Sequence, residues 1–161
     1  MKQILQNARS GDLQLADVPA PALGSGQVLV QNHYSVVSPG TDKLAMSFAR
    51  KSLVAKARSR PDLVEQVVRK VRQEGPLPTY RSAMNKLDAP QPLGYSSAGI
   101  VLAVAEDVEG FAVGDRVACA GAGYANHAEI IAVPENLVAH VPESLPLDRA
   151  AFATLGAIAL Q

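Results

Sequence analysis

A series of short segments rich in Val, Ile, Leu and Ala constrains the fold more than any other feature of this chain. Turns such as Ser10-Gly11-Asp12 and Val113-Gly114-Asp115 separate them and supply the residue types that tight reversals need. This spacing predicts a small, mostly antiparallel β-barrel or sandwich. The seven segments are KQILQN, LQLADV, QVLVQNHYSVV, AGIVLAVA, RVACA, NHAEIIAV and LVAHV. The chain has 161 residues, 48% of them apolar, which is enough for one core.

A strongly basic stretch interrupts this pattern in the middle of the chain. Over the whole chain Lys+Arg and Asp+Glu are both 15, but residues 43–88 hold eleven of the basic residues and four of the acidic ones. The stretch therefore has a net charge of +7 and the remainder −7. Nucleic-acid binding through these cations is one interpretation, and a solvated helix face is the simpler one.

The basic stretch is predicted to be helical. KLAMSFARKSLVAKAR follows the candidate N-caps Thr41 and Asp42, and PDLVEQVVRKVRQ begins with a first-turn proline. Leu63, Val67 and Val71 in the second of these segments recur at helical spacing, which predicts one packed face and one exposed cationic face. Gly75 followed by proline gives a stop signal. The last segment, LPLDRAAFATLGAIALQ, is also predicted to be helical, with Asp148 as its cap.

Composition excludes several classes of protein. One cysteine, Cys119, cannot form an intramolecular disulfide, and with only three histidines, at positions 33, 127 and 140, few soft metal ligands are available. No segment has the roughly 20 apolar residues of a membrane helix, and the opening residues lack a secretory signal. We therefore expect a cytoplasmic protein that binds neither membrane nor nucleic acid.

Three sequence motifs, taken in their order, resemble those of a known family. They are SVVSPGTD at 35–42, GYSSAGIV at 94–101 and GDRVACAGAGYANHAEIIAVPENLVAHVPESLPLDRAAF at 114–152. They are similar to the amino-terminal, GroES-like catalytic domain of the medium-chain alcohol dehydrogenase/reductase superfamily. Within it, the nearest group is a zinc-less branch of bi-domain oxidoreductases from bacterial polysaccharide biosynthesis clusters.

The resemblance implies a mostly β fold with an α insertion, a GroES-like partly open β-barrel. Residues 1–42 and 89–146 would form the barrel, and residues 43–88 the basic helical insertion. In the resembled family a shorter connection joins the first two of these motifs, which lie at the active site. We therefore expect the insertion to form a lid or a subunit contact. Residues 147–161 would begin a helix towards a Rossmann domain, whose glycine-rich fingerprint this sequence lacks.

Zinc-dependent members of the family bind a catalytic Zn²⁺ through Cys and His side chains in the matching phrases. Pro39, Tyr95 and Ser96 occupy those places here, and the third ligand position matches Thr154 or Leu155. None of these side chains replaces a thiolate or an imidazole, so no zinc is expected.

With zinc absent, the resemblance leaves hydroxyl groups as the candidate catalytic residues, Thr41 and Tyr95. Thr41 matches a position that relays the alcohol proton, and Tyr95 could donate a hydrogen bond to a developing oxyanion. The alternatives are a turn or helix cap for Thr41 and ordinary packing for Tyr95. Gly40 and Thr41 are also the candidate contacts on the nicotinamide side of an NAD or NADP cofactor in the intact protein, whereas this chain alone is expected to bind no cofactor.

Other residue patterns have simpler interpretations. Gly121-Ala122-Gly123 lacks the third glycine and the following helix of a phosphate-binding loop. His127 and Glu129 alternate on a predicted strand, where a hydrogen-bonded pair at the rim is expected rather than catalysis. Cys119 is expected to be a small buried apolar residue.

The resemblance implies a substrate-side domain of a zinc-independent NAD(P)-dependent oxidoreductase. A small molecule would be its substrate, with sugars and sugar nucleotides among the candidates, and a homo-oligomer is compatible with it. The alternative is a non-enzymatic GroES-like interaction module.

Overall fold

The computed structural model describes residues 1–7, 10–38, 40, 69, 71–73, 75–78 and 89–161. The chain divides into two units. The first consists of Met1–Leu5, Gln14–Ser38 and Pro92–Gln161, and the second of Gln6–Leu13 and Pro39–Gln91.

The described residues form eight strands and two short helices near the end of the chain. The strands are β1 (Lys2–Asn7), β2 (Leu13–Asp17), β3 (Gln27–Ser35), β4 (Pro90–Pro92), β5 (Ser96–Val104), β6 (Arg116–Ala120), β7 (Ile130–Pro134) and β8 (Val138–His140). A 3-10 turn at Glu135–Leu137 joins β7 to β8, and the helices are α1 (Leu147–Ala150) and α2 (Ala153–Ala159). Among the described residues, no helix is long and apolar enough to cross a membrane.

A five-stranded antiparallel sheet in the order β7-β3-β5-β6-β8 forms the main layer, and a three-stranded sheet in the order β2-β1-β4 accompanies it. The register of β3 against β5 shifts twice, between Leu29 and Val30 and between Asn32 and Tyr34. Such irregularities bend a strand and increase its twist, so the sheet curls into the predicted partly open GroES-like barrel. The predicted fold class is confirmed.

Gly99 allows β5 to approach β3 closely at the second irregularity. Its Cα faces Asn32 in the register, and a Cβ there would lie 1.9 Å from the carbonyl oxygen of Gln31. Since no side chain fits in that space, only glycine is compatible with this strand pairing.

Two clusters of buried side chains fill the first unit. The inward positions of β3, β5, β6 and β7 supply the first, with Val28, Val101 and Val117 at most 1% exposed. The second is built on Ala98, Ala118 and Ala151 and includes residues that follow β3 and β8. Alternate positions are buried in β3 and β7, whereas neighbouring residues of β6 face different clusters and are buried on both faces of the strand.

Several predicted boundaries differ from the structure. The segment NHAEIIAV enters a strand only at Ile130, because the residues before it form a turn and an isolated bridge at Ala128. The expected helix near the end of the chain is divided into α1 and α2, and Pro146 rather than Asp148 is the N-cap of α1. No side chain caps α1 through a hydrogen bond, and Asp148 lies in its first turn, where a negative charge is favourable.

The described residues of the second unit agree with a predicted helix end. Residues 69 and 71–73 are helical, and the Gly75 N–H donates to the Val71 carbonyl at 2.9 Å. Gly75 has φ +89°, the left-handed conformation that favours glycine after a helix. The rest of the predicted helices, including Leu63 and Val67, lies outside the described residues.

Candidate functional site

The predicted site residues fall partly outside the described residues. Pro39 and Thr41 are among those not described, so their predicted roles stay predictions. Gly40 is described and exposed, and a Cβ added there would have open space around it. Tyr95 lies in the first unit, where it is half-buried.

Backbone hydrogen bonds hold residues 93–95, the segment that carries Tyr95, immediately before β5. The Gly121 N–H donates to the Tyr95 carbonyl at 2.9 Å, and the His127 N–H donates to the Leu93 carbonyl at 2.7 Å. The Leu93 N–H in turn donates to the Ile4 carbonyl at 3.3 Å. The segment is therefore fixed on both sides although it belongs to no strand.

Gly94 brings this segment against His127. It has φ +103°, and a Cβ there would lie 2.7 Å from the backbone nitrogen of His127 and 3.0 Å from its Nδ1. Both the conformation and the close approach require glycine. Nothing in the sequence indicated the imidazole that this glycine accommodates.

His127 is buried, and its Nδ1 lies 2.9 Å from Oγ of Ser35, the exposed last residue of β3. The expected rim pair with Glu129 is wrong, because the Glu129 carboxylate accepts the Lys2 N–H at 2.8 Å and neither residue lies in β7. Alternation along a strand was the only signal for that pair, and the chain turns there instead. Nothing in the sequence pointed to Ser35, which is 92 residues away.

The residues at the zinc-ligand positions have other partners or no donor suited to zinc. Ser96 is fully buried, and its hydroxyl donates to the Ala151 carbonyl at 2.6 Å. The Thr154 hydroxyl is buried without a hydrogen-bond partner, and Leu155 packs against the second cluster. In the described part of the chain no three His, Cys, Asp or Glu side chains converge. These donors do not fit the nitrogen and sulfur ligands of a tetrahedral zinc site.

Cys119 and the glycine turn after it are structural. Cys119 in β6 is buried in the first cluster, and desolvation raises the pKa of its thiol to about 12. A thiol with this pKa is neutral at physiological pH and does not act as a nucleophile. Residues 121–124 form a turn in which Gly121 accepts the Tyr124 N–H at 3.1 Å, and no helix follows to bind a phosphate.

The two other histidines lie in strands. His33 is an exposed residue of β3. His140 ends β8, where its ring stacks on Phe111 with centroids 4.6 Å apart and its Nε2 lies 2.8 Å from the Gly110 carbonyl. Neither histidine lies among the contacts of Tyr95 described above.

A comparison with protein families gives a match to the alcohol dehydrogenase GroES-like domain over residues 66–143. No curated protein matches the sequence significantly. Among solved structures, the quinone oxidoreductase from Coxiella burnetii is 21% identical with a TM-score of 0.63, and the match covers 99% of this chain and 44% of that one.

Two further solved structures give similar results. Galactitol-1-phosphate dehydrogenase from Escherichia coli is 18% identical with a TM-score of 0.64, over 94% of this chain and 41% of that one. A mycobacterial protein complexed with NADPH is 22% identical with a TM-score of 0.63, over 99% and 39% of the two chains. This chain thus spans about two fifths of the length of these structures, and likeness at such identities concerns the fold.

Proposed function

The chain carries a GroES-like domain of the medium-chain alcohol dehydrogenase superfamily, and from this premise we propose that it is the substrate-side domain of a zinc-independent, NAD(P)-dependent oxidoreductase. The observation that carries the proposal is the side-chain chemistry at the family's zinc positions. Tyr95 replaces an imidazole, and the buried hydroxyl of Ser96 donates to Ala151. Neither residue is a zinc ligand here, so another group must stabilise charge on the substrate oxygen.

In the proposed reaction a nicotinamide cofactor exchanges a hydride with the carbonyl carbon of a small molecule. The hydroxyl of Tyr95 donates a hydrogen bond to the substrate oxygen and stabilises its developing negative charge. The backbone hydrogen bonds of residues 93–95 fix the chain that carries this side chain before substrate arrives, which favours a donor that contributes with little reorganisation. Thr41 is the proposed proton relay and, with Gly40, the proposed contact on the nicotinamide side.

We also propose a substrate class, a cofactor and a cellular location. Two of the similar structures are named as a quinone oxidoreductase and a galactitol-1-phosphate dehydrogenase, which favours a small molecule with a carbonyl or hydroxyl group. The NADPH in the mycobacterial complex favours a nicotinamide cofactor. Sugars and sugar nucleotides remain candidates, and we propose a cytoplasmic location. The family match favours this function over a non-enzymatic interaction module.

Tyr95→Phe tests the proposed role directly in the full-length protein. NAD(P)H oxidation is measured with a panel of aldehydes, ketones and quinones after metal-free dialysis. We expect Tyr95→Phe to lower kcat by about 100-fold, because one oxyanion donor is worth about that factor. Tyr124→Phe is the matched control, since Tyr124 is 41% exposed and lies outside residues 93–95. An activity that requires one added zinc per chain, or a Tyr95→Phe variant with wild-type kcat, would contradict the proposal.

A further inference from the structure

The buried imidazole of His127 has no part in the function proposed above. Of the three histidines it is the buried one, and its Nδ1 lies 2.9 Å from the Ser35 hydroxyl. A buried polar ring keeps a fixed orientation through the partners of its nitrogens. The bond to Ser35 therefore orients the ring relative to the end of β3.

This ring lies directly against the segment that carries Tyr95. At Gly94 a Cβ would come within 3.0 Å of Nδ1, so the backbone of Gly94 and the imidazole are already in close contact. The adjacent Leu93 carbonyl accepts the His127 N–H at 2.7 Å, so backbone and ring of the same residue fix one stretch of chain. The imidazole thus lies beside Gly94, and Tyr95 is the next residue.

We propose that Ser35 and His127 are positioning residues for Tyr95. The Ser35 hydroxyl orients the imidazole, the imidazole and its backbone N–H fix residues 93–95, and that segment sets the position of the Tyr95 ring. Only the catalytic consequence of this inference rests on the proposed function. The coupling from Ser35 to Tyr95 is a property of the fold and can be measured without any reaction.

Fluorine NMR of the full chain labelled with 3-fluorotyrosine measures the coupling. The chain has four tyrosines, so the spectrum has four resonances, and Tyr95→Phe identifies the one of interest. We expect Ser35→Ala to shift that resonance by more than its linewidth, because Nδ1 of His127 loses its hydrogen bond to Ser35. Ser35→Thr keeps a hydroxyl and should restore the wild-type position. His33→Ala is the matched control, since it changes an exposed residue of the same strand and should leave the resonance in place.

A second variant keeps the test decisive if Ser35→Ala does not fold. His127→Gln keeps a polar side chain but moves the hydrogen-bonding atom away from the position of Nδ1, so it should displace the Tyr95 resonance in the same way. An unmoved resonance in the folded variant would overturn the inference, whatever the activity. Restoration by Ser35→Thr would support it, because a general loss of stability would not follow the hydroxyl.

Kinetics separate this inference from the proposed function. If both hold, Ser35→Ala lowers kcat by about 10-fold with little change in KM, as expected for misplacement of a catalytic group, and Ser35→Thr restores it. A shifted resonance in a protein without oxidoreductase activity would contradict the proposed function and leave the positioning intact. A shifted resonance with unchanged kcat would overturn the catalytic consequence.

Discussion

The two clusters of buried residues in the barrel unit are built from side chains of different size. The first contains five valines of β3, β5, β6 and β7 that are at most 1% exposed, together with residues such as Ile131 and Cys119. The second is built mainly from alanines, with Val36 and Val141 as its larger members, and it includes Ala150 at the end of α1. Because burial energy grows with apolar area, each residue of the first cluster contributes more to the stability of the fold than each residue of the second.

Large apolar side chains at the helical end of the chain are exposed. On α2 and the residues that flank it, Phe152, Ile158 and Leu160 are 55%, 62% and 90% exposed. The valines of the five-stranded sheet are thus buried, whereas these three side chains at the helical end are exposed, as are Leu15 of β2 and Leu102 of β5. We infer that the strands determine the stability of the unit, and that changes at the helical end have small effects.

The largest contrast is expected between two glycines, one in each region. Gly99→Ala places a Cβ 1.9 Å from the backbone oxygen of Gln31, so the strands must separate, and we expect a loss of at least about 3 kcal/mol. Gly156→Ala in α2 meets no atom within 4 Å and should stabilise by about 0.5 to 1 kcal/mol. Urea unfolding of both variants measures the difference. Equal stabilities would remove the distinction between the regions.

Truncation of one apolar side chain in each region sharpens the comparison. Val117→Ala removes two methyl groups from the first cluster, and we expect a loss of about 2 kcal/mol from lost burial and the cavity left behind. Ile158→Ala at the helical end should change stability by less than about 0.5 kcal/mol, because its side chain is mostly exposed. Thermal unfolding checks both. A larger loss for Ile158→Ala would show that α2 is covered.

The Ser96 hydroxyl joins strand β5 to the helical end of the chain, and the adjacent Ser97 provides the control. Ser96→Ala removes the bond to the Ala151 carbonyl, and we expect a loss of about 1 to 2 kcal/mol because that carbonyl stays buried without its donor. Ser97→Ala, in contrast, removes a buried hydroxyl that has no partner among the described residues, so it should be neutral or slightly stabilising. The two variants are compared by urea unfolding. A reversed order would contradict the link between β5 and α1.

Local sequence patterns predicted the strands well because short runs of Val, Ile, Leu and Ala between turn residues are typical of strands that line a core. Segments such as RVACA and LVAHV contain β6 and β8, and Cys119 is buried as expected. The patterns failed where tertiary contacts decide the conformation. At residues 126–129 a turn against the Leu93 carbonyl replaced a predicted strand, and Pro146 replaced Asp148 as the cap.

The candidate site was predictable only in part. The family phrases located Tyr95, Ser96 and the glycine before them, because these residues lie together in one short stretch of sequence. The Ser35–His127 bond joins residues 92 positions apart, and neither residue type is unusual in a strand or turn. No local periodicity signals such a contact. The predicted roles of Thr41 and the basic stretch 43–88 stay predictions.

The smallest expected effect on stability concerns the carboxylate of Asp107, which lies in the loop after β5. Asp107 accepts hydrogen bonds from the Ser25 hydroxyl and, at 2.9 Å, from the Gly26 N–H, and so joins the turn before β3 to the loop after β5. These bonds, first that from Gly26 and then that from Ser25, hold the pKa of Asp107 below its usual value. A carboxylate whose folded-state pKa is lowered stabilises the fold above its unfolded pKa, near 3.9, and this contribution disappears as pH falls through the folded value.

Asp107→Asn should therefore lower the Tm slightly at pH 6, and the difference from wild type should shrink as the pH falls from about 4 to 2. Asp107 is exposed at the surface, where solvent screening keeps such bonds weak, so the shift in Tm is expected to be smaller than those of the three preceding comparisons. Glu109→Gln removes a second carboxylate two residues away and is the matched control. A Tm difference for Asp107→Asn that stays constant down to pH 2 would mean that the turn is held by the shape of the side chain and not by its charge.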